Sequence, residues 1–180
     1  MTTSGQRTLI HRGKRFDFEL VRETLPDGRE SSREVVRHPG AVVVLGLTDD
    51  QRIVLIRNHR VAVEDTLWEL PAGTMEPPEP ANVCAARELE EEGGFTASDI
   101  QPIAEFFTTP GMTDERMHAF LATGLAQSEQ RLDEDERIEV HLKPVQTVFD
   151  MIEDGSLCDA KSMLALLIAA RRGMIPTPTS

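Results

Sequence analysis

The chain has 180 residues and a mass of 20.0 kDa, enough for one domain with a sizeable core and a small appendage. Its formal net charge of -12 and pI near 4.8 argue against a nucleic-acid backbone or an anionic membrane as the main partner. A small phosphorylated substrate stays compatible, because bound metal and local arginines can offset the overall field. The opening MTTSGQRTLIHRGKRF has no apolar h-region, and no stretch is long enough to span a bilayer, so a cytoplasmic protein is expected. Cys84 and Cys158 fall in no CxxC or Cys/His spacing and read as small buried side chains, and five scattered histidines give no zinc site.

From Arg15 to Glu23, Phe16, Phe18 and Leu20 alternate with polar residues, as in a half-buried strand. Pro26-Asp27-Gly28 is a turn signal, and Arg33 to Arg37 is the return strand. This region, residues 1–38, has too little core to stand alone and must lean on another surface. Pro39-Gly40 opens the main domain, 39–175. There AVVVLGL, Ala41 to Leu47, reads as a strand buried on both faces, and Arg52 to Arg57 as a second strand. Arg57 and Arg60 stand where that strand gives way to a loop. Guanidinium groups bind phosphate oxygens through paired hydrogen bonds, so both are candidate pyrophosphate contacts. Glu69, in Leu67-Trp68-Glu69-Leu70, joins them as a substrate-binding candidate, and Trp68 is assigned to the core.

Pro77, Pro78 and Pro80 surround Glu79 in a stiff loop before a helix. On that helix Ala81, Ala85, Ala86 and Leu89 make one apolar stripe, and Glu88, Glu91 and Glu92 fall on an adjoining face. Three like charges at one place repel unless a cation sits among them or water screens them. Oxygen-only ligands suit magnesium or manganese. Arg87, one turn before Glu91, can hold that carboxylate in place.

Ile100 to Phe107 and Met117 to Leu125 read as strands joined through the turn Thr108-Thr109-Pro110-Gly111. LDEDER, Leu132 to Arg137, is an acidic loop before a strand over Ile138 to Leu142. Helices are expected over Pro144 to Glu153 and Ala160 to Arg172, stopped by Gly155 and Gly173, with a frayed tail at 176–180. The order predicts an α/β class, a mixed sheet covered by helices on both faces as an α/β/α sandwich, with a small antiparallel β region at the N-terminus.

The spacing from Gly73 to Phe95 is specific: Gly73, five residues, Glu79, seven residues, Arg87-Glu88-Leu89, one residue, Glu91-Glu92, one residue, Gly94-Phe95. It resembles the Nudix box at every fixed position, with Pro78 standing where the family commonly has glycine. Pro110, sixteen residues after Gly94 in TPGMTDE, further resembles the ADP-ribose pyrophosphatase subgroup of the Nudix hydrolases. The resemblance implies a magnesium-dependent homodimer, manganese being possible, whose N-terminal sheet packs across to the partner. It implies Glu88 and Glu92 as main metal ligands, the Ala72 carbonyl and Glu91 assisting, Glu79 supporting, and Arg87 and Glu91 within the catalytic set. Glu115 is implied as a contact to the terminal ribose, with Met112 beside it. A glutamate of the acidic loop would activate water, Glu134 as first choice and Glu136 as second. The implied reaction is hydrolysis of ADP-ribose to AMP and ribose 5-phosphate. Hydrolysis of another nucleotide sugar such as GDP-mannose is the alternative, and a sensing domain without turnover, which often loses box glutamates, a third reading.

Overall fold

A computed structural model describes residues 5–134 and 136–177; of the expected tail, residues 178–180 lie outside the described residues. The chain opens with an antiparallel sheet of β1 (Gln6–Arg12), β2 (Asp17–Thr24) and β3 (Glu30–Arg37), in that order. Sequence patterning shows β2 and β3 as a hairpin but not β1. QRTLIHR has no period-two alternation because every one of its residues is exposed, so no buried face imposes a pattern. The sheet leans on the main domain through β3. Val36 N–H donates to the Met112 carbonyl at 2.9 Å, and Arg37 pairs with Asp114 at 2.8 Å and with Glu19 at 2.7 Å.

The main domain starts with β4 (Ala41–Gly46), β5 (Arg52–Arg60), β6 (Asp65–Glu69) and β7 (Ala72–Thr74). Helix α1 (Ala81–Glu91) and the long strands β8 (Phe95–Phe107) and β9 (Arg116–Gln127) follow, then β10 (Ile138–Pro144), α2 (Val145–Glu153) and α3 (Ala160–Arg171). One sheet has the order β7-β4-β9-β8, with β4 and β9 parallel and the other pairs antiparallel; the second is β10-β5-β6, antiparallel throughout. The run AVVVLG is apolar throughout because β4 is covered on both sides. Ala41, Val43 and Leu45 enter a core with Val148 of α2 and Leu166 of α3, whereas Val42 and Val44 meet Cys84, Ala85 and Leu89 of α1. Each such fully buried Val or Leu contributes roughly 2 kcal/mol of apolar transfer. The expected α/β/α sandwich with a mixed sheet is therefore present. Among the described residues no helix is long and apolar enough to cross a membrane.

Cys84 is buried as expected, but Cys158 is exposed, because it lies in the turn before α3 rather than on a helix face. Trp68 is partly buried against the core, its ring flanked by Arg57 and Lys143 at 5.2 and 5.3 Å.

Candidate active site

Helix α1 buries its apolar stripe under β4, and this fixes its acidic face toward a cleft of about 1190 Å³. Glu88, Glu91 and Glu92 line that cleft, as do Ala72 and Gly73 of β7. Strand β7 runs so close to the helix that a Cβ on Gly73 would lie 1.9 Å from Glu88 Oε1, so any other residue here must displace the Glu88 carboxylate. Ala72 meets Glu92 through its amide, which donates to Oε2 at 2.8 Å. Gly94, at φ 68°, then turns the chain out of the helix and into β8.

Arg87 organises the carboxylates. Its guanidinium donates to Glu79 at 2.8 Å, to Glu88 at 2.8 Å and to Glu91 at 2.9 Å. Those bonds hold the Arg87 pKa above its ordinary value, with the Glu79 bond as the leading cause, and that bond in turn pulls the Glu79 carboxyl down to about 2. Glu79 also accepts from the Glu76 amide at 2.8 Å, so the proline-rich loop and the helix are tied at one charged point. Glu88 and Glu92 behave oppositely. Burial raises Glu88 to about 7 against the attraction of Arg87, and raises Glu92 to about 8 against its bond from Ala72. Repulsion from Glu136 adds to both. Nearby carboxylates that resist ionising are the electrostatic signature of a place suited to a cation.

Glu136 arrives there because the loop leaving β9 is stitched to the end of α1. The Ser128 amide donates to the Gly94 carbonyl at 2.8 Å, the Gln130 side chain to the Glu92 carbonyl at 2.8 Å, and the Arg131 amide to the Glu91 carbonyl at 2.9 Å. Of the two loop candidates, Glu136 lines the cleft, and Glu134 is exposed and does not.

Two basic side chains share the cleft with the carboxylates. Arg60 lines the cleft, and its guanidinium makes two bonds to the fully buried Glu69, at 2.7 and 2.6 Å. Lys161, at the start of α3, also bonds Glu69 and stands 3.0 Å from Asp159. The Ser162 hydroxyl accepts from the Leu70 amide at 2.8 Å and donates to the α3 cap Asp159 at 2.5 Å, locking β6 to the helix. Glu69, a substrate-binding candidate from sequence, is instead fully buried and does not line the cleft; it anchors two cations, Arg60 and Lys161, that do. Lys161 is the site residue sequence reasoning missed; its only signal is a position next to a helix cap, which carries no chemistry by itself.

Glu115 also lines the cleft, and it accepts from the Thr108 hydroxyl at 2.5 Å. Met112 is 56% exposed, its carbonyl accepts from Val36 of β3, and it lies outside the cleft lining. Arg57 is also absent from it. Successive residues of β5 face opposite ways, and Arg57 donates to the Thr66 carbonyl at 3.2 Å beside a separate, smaller depression shared with His59 and Arg137.

Oxygen donors that crowd together and hold raised pKa values fit a hard divalent cation. Among the described residues no three acidic, imidazole or thiol groups converge as a ready-made cage. The reason is visible: Arg87 lies among the glutamates and engages Glu79, Glu88 and Glu91. Glu92 and the second oxygen of Glu88 are not engaged by it.

Residues 37–165 match the NUDIX domain family. An ADP-ribose pyrophosphatase of Bacillus subtilis (strain 168) is 41% identical over 159 residues, covering 87% of this chain and 86% of the relative. A GDP-mannose pyrophosphatase of Cronobacter sakazakii (strain ATCC BAA-894) is 31% identical over 176 residues, covering 88% and 92%. A crystal structure described as an ADP compounds hydrolase superposes with a TM-score of 0.79 over 97% of this chain and 98% of that one; at 24% identity this is a likeness of fold.

Proposed function

The chain belongs to the Nudix family, and from that premise we propose that it is a divalent-metal-dependent hydrolase that cuts the diphosphate of ADP-ribose to AMP and ribose 5-phosphate. The observation that carries this reading is one cleft lined together by the carboxylates of α1, by Arg60 and Lys161, and by Glu115. The similarity to an ADP-ribose pyrophosphatase along most of both chains supports the choice of substrate.

Glu88 and Glu92 would hold magnesium or manganese, with Glu91 and the Ala72 carbonyl assisting. Bound there, a divalent cation polarises phosphate oxygens and lowers the pKa of water. Arg60 and Lys161 bind the negative diphosphate, and Glu69 keeps their charged ends in place. Glu136 takes a proton from the attacking water as its oxygen bonds to phosphorus and the bridging P–O bond breaks toward the other phosphate. Arg87 aligns Glu88 and Glu91, and Glu115 binds the terminal ribose.

Residues 1–38 form a dimerising unit apart from the domain at 39–175. Leu9, Ile10, Phe16 and Phe18 of the N-terminal region are 37–52% exposed, a surface suited to a second copy of the chain. The protein acts in the cytoplasm on a small molecule, with neither nucleic acid nor membrane as partner. Purified protein with magnesium and ADP-ribose should release AMP, and Glu92→Gln should lose most of that rate. A clear preference for GDP-mannose, the substrate named for the Cronobacter relative, would replace the substrate assignment. Equal inertness of both proteins across a nucleotide-sugar panel would turn the reading to a sensing domain.

A further inference from the structure

His38 has a seat more fully specified than a linker residue needs. It follows β3, and its own amide donates to Asp114 Oδ1 at 2.9 Å. The Gly40 amide donates to its Nδ1 at 3.0 Å. A nitrogen that accepts in this way carries no proton, so the neutral ring has its hydrogen on Nε2. Phe16, from the turn between β1 and β2, stacks on the imidazole with centroids 4.6 Å apart and planes 23° apart. The ring is almost wholly covered, and burial lowers its pKa, which favours that neutral tautomer. Nε2 stands 3.4 Å from Glu115 Oε1, and the other carboxylate oxygen of Glu115 is taken by the Thr108 hydroxyl.

We propose that His38 is a positioning residue for Glu115: the Gly40 amide fixes the imidazole so that its Nε2–H faces the carboxylate and holds it in the orientation that receives the terminal ribose. This rests on the reading of Glu115 as the ribose contact. The Thr108 hydroxyl holds one oxygen and leaves the carboxylate free to swing about it, and the covered imidazole edge 3.4 Å from the other oxygen limits that swing. A carboxylate aligned before substrate arrives binds more tightly, because less ordering remains to be done on binding. The N-terminal sheet then acts on the substrate site through the path Phe16, His38, Glu115.

The test is steady-state hydrolysis of ADP-ribose by Glu115→Ala, His38→Ala, the double variant, His38→Gln and His38→Asn. Glutamine can place a donor near the Nε2 position, and asparagine only an acceptor near Nδ1. Expected are a roughly tenfold rise in KM for each single alanine variant with kcat within about twofold, and a double variant no worse than Glu115→Ala. Glutamine at 38 should restore most of the KM and asparagine should not. A KM unchanged in His38→Ala but raised in Glu115→Ala would overturn the positioning role and leave the ribose contact standing. Rescue by asparagine and not glutamine would likewise overturn it, reducing His38 to a brace for the turn at Gly40. If Glu115→Ala leaves KM unchanged, the ribose contact fails and this role fails with it. Should His38→Ala not fold, the glutamine and asparagine pair decides alone.

Discussion

Arg60 and Glu69 are joined by two parallel hydrogen bonds, Nε to Oε1 at 2.7 Å and Nη2 to Oε2 at 2.6 Å, with the carboxylate buried and the guanidinium half open to the cleft. Lys161 shares the same carboxylate. One buried anion thus holds two cations from β5 and α3 at a single place. Burial pushes the Glu69 pKa up, but the Arg60 bond and the charge of Lys161 outweigh it and hold it below the ordinary value. Its stabilisation is therefore present above the unfolded value near 4.5 and is lost as pH falls through the lower folded value.

Glu69→Gln should destabilise the fold by about 3–5 kcal/mol, as removing one partner from a buried ion pair does, because two cations lose their counter-charge. Denaturant unfolding at pH 7 measures this. Where the variant still folds, KM for ADP-ribose should rise more than kcat falls, since Arg60 and Lys161 stay present but lose their alignment. An unchanged KM would remove the two cations from substrate binding.

Glu136→Gln and Glu134→Gln separate the two loop glutamates. Loss of a general base lowers the rate by about 10²–10⁴-fold, so Glu136→Gln should fall in that range. Glu134, exposed and outside the cleft lining, should keep activity within about twofold on substitution. The reverse result would restore the order suggested by sequence.

Gly73→Ala should keep the fold and lose the chemistry. Its Cβ would lie 1.9 Å from Glu88 Oε1, and the flexible end of Glu88 yields before the backbone does. A displacement of this kind near the reacting centre lowers turnover about 100-fold. The expected outcome is a melting temperature within a few degrees of the parent and AMP release reduced by that factor.

Without divalent cation, stability should fall as pH rises. The folded pKa values of Glu88 and Glu92, about 7 and about 8, lie above the ordinary 4.5, so the folded state binds more protons than the unfolded state between pH 5 and pH 8. Stability contributed by the protonated pair is full below about pH 4.5 and is lost as pH climbs through those values. In a chelating buffer the melting temperature should decline across that window, and Glu88→Gln with Glu92→Gln should flatten the decline. Added magnesium should reverse it at pH 8, where both carboxylates are ready to ligate. A flat profile in the parent protein would count against the buried acidic pair.

The strands of the core were legible because burial on both sides of β4 writes itself as an unbroken apolar run, and α1 because its stripe recurs every three to four residues. Glu88, Glu91 and Glu92 could be placed on one face, and Arg87 one turn before Glu91, from spacing alone, since a helix turns by ~100° per residue regardless of its surroundings. Strand β1 was not legible, because exposed positions carry no hydrophobic period, and β7 is only three residues long.

Local spacing determined the acidic cluster, the glycine beside it and the elements that carry an apolar period. Only the tertiary structure decided which distant residues share the cleft. Glu136 rather than Glu134 faces the helix because hydrogen bonds from Ser128, Gln130 and Arg131 set the course of their loop. Lys161 meets Arg60 because Ser162 pins α3 to the end of β6. Arg57 faces away although it lies three residues from Arg60 on the same strand, where positions of opposite parity point to opposite faces. Contacts between segments far apart in sequence depend on packing that no short window contains.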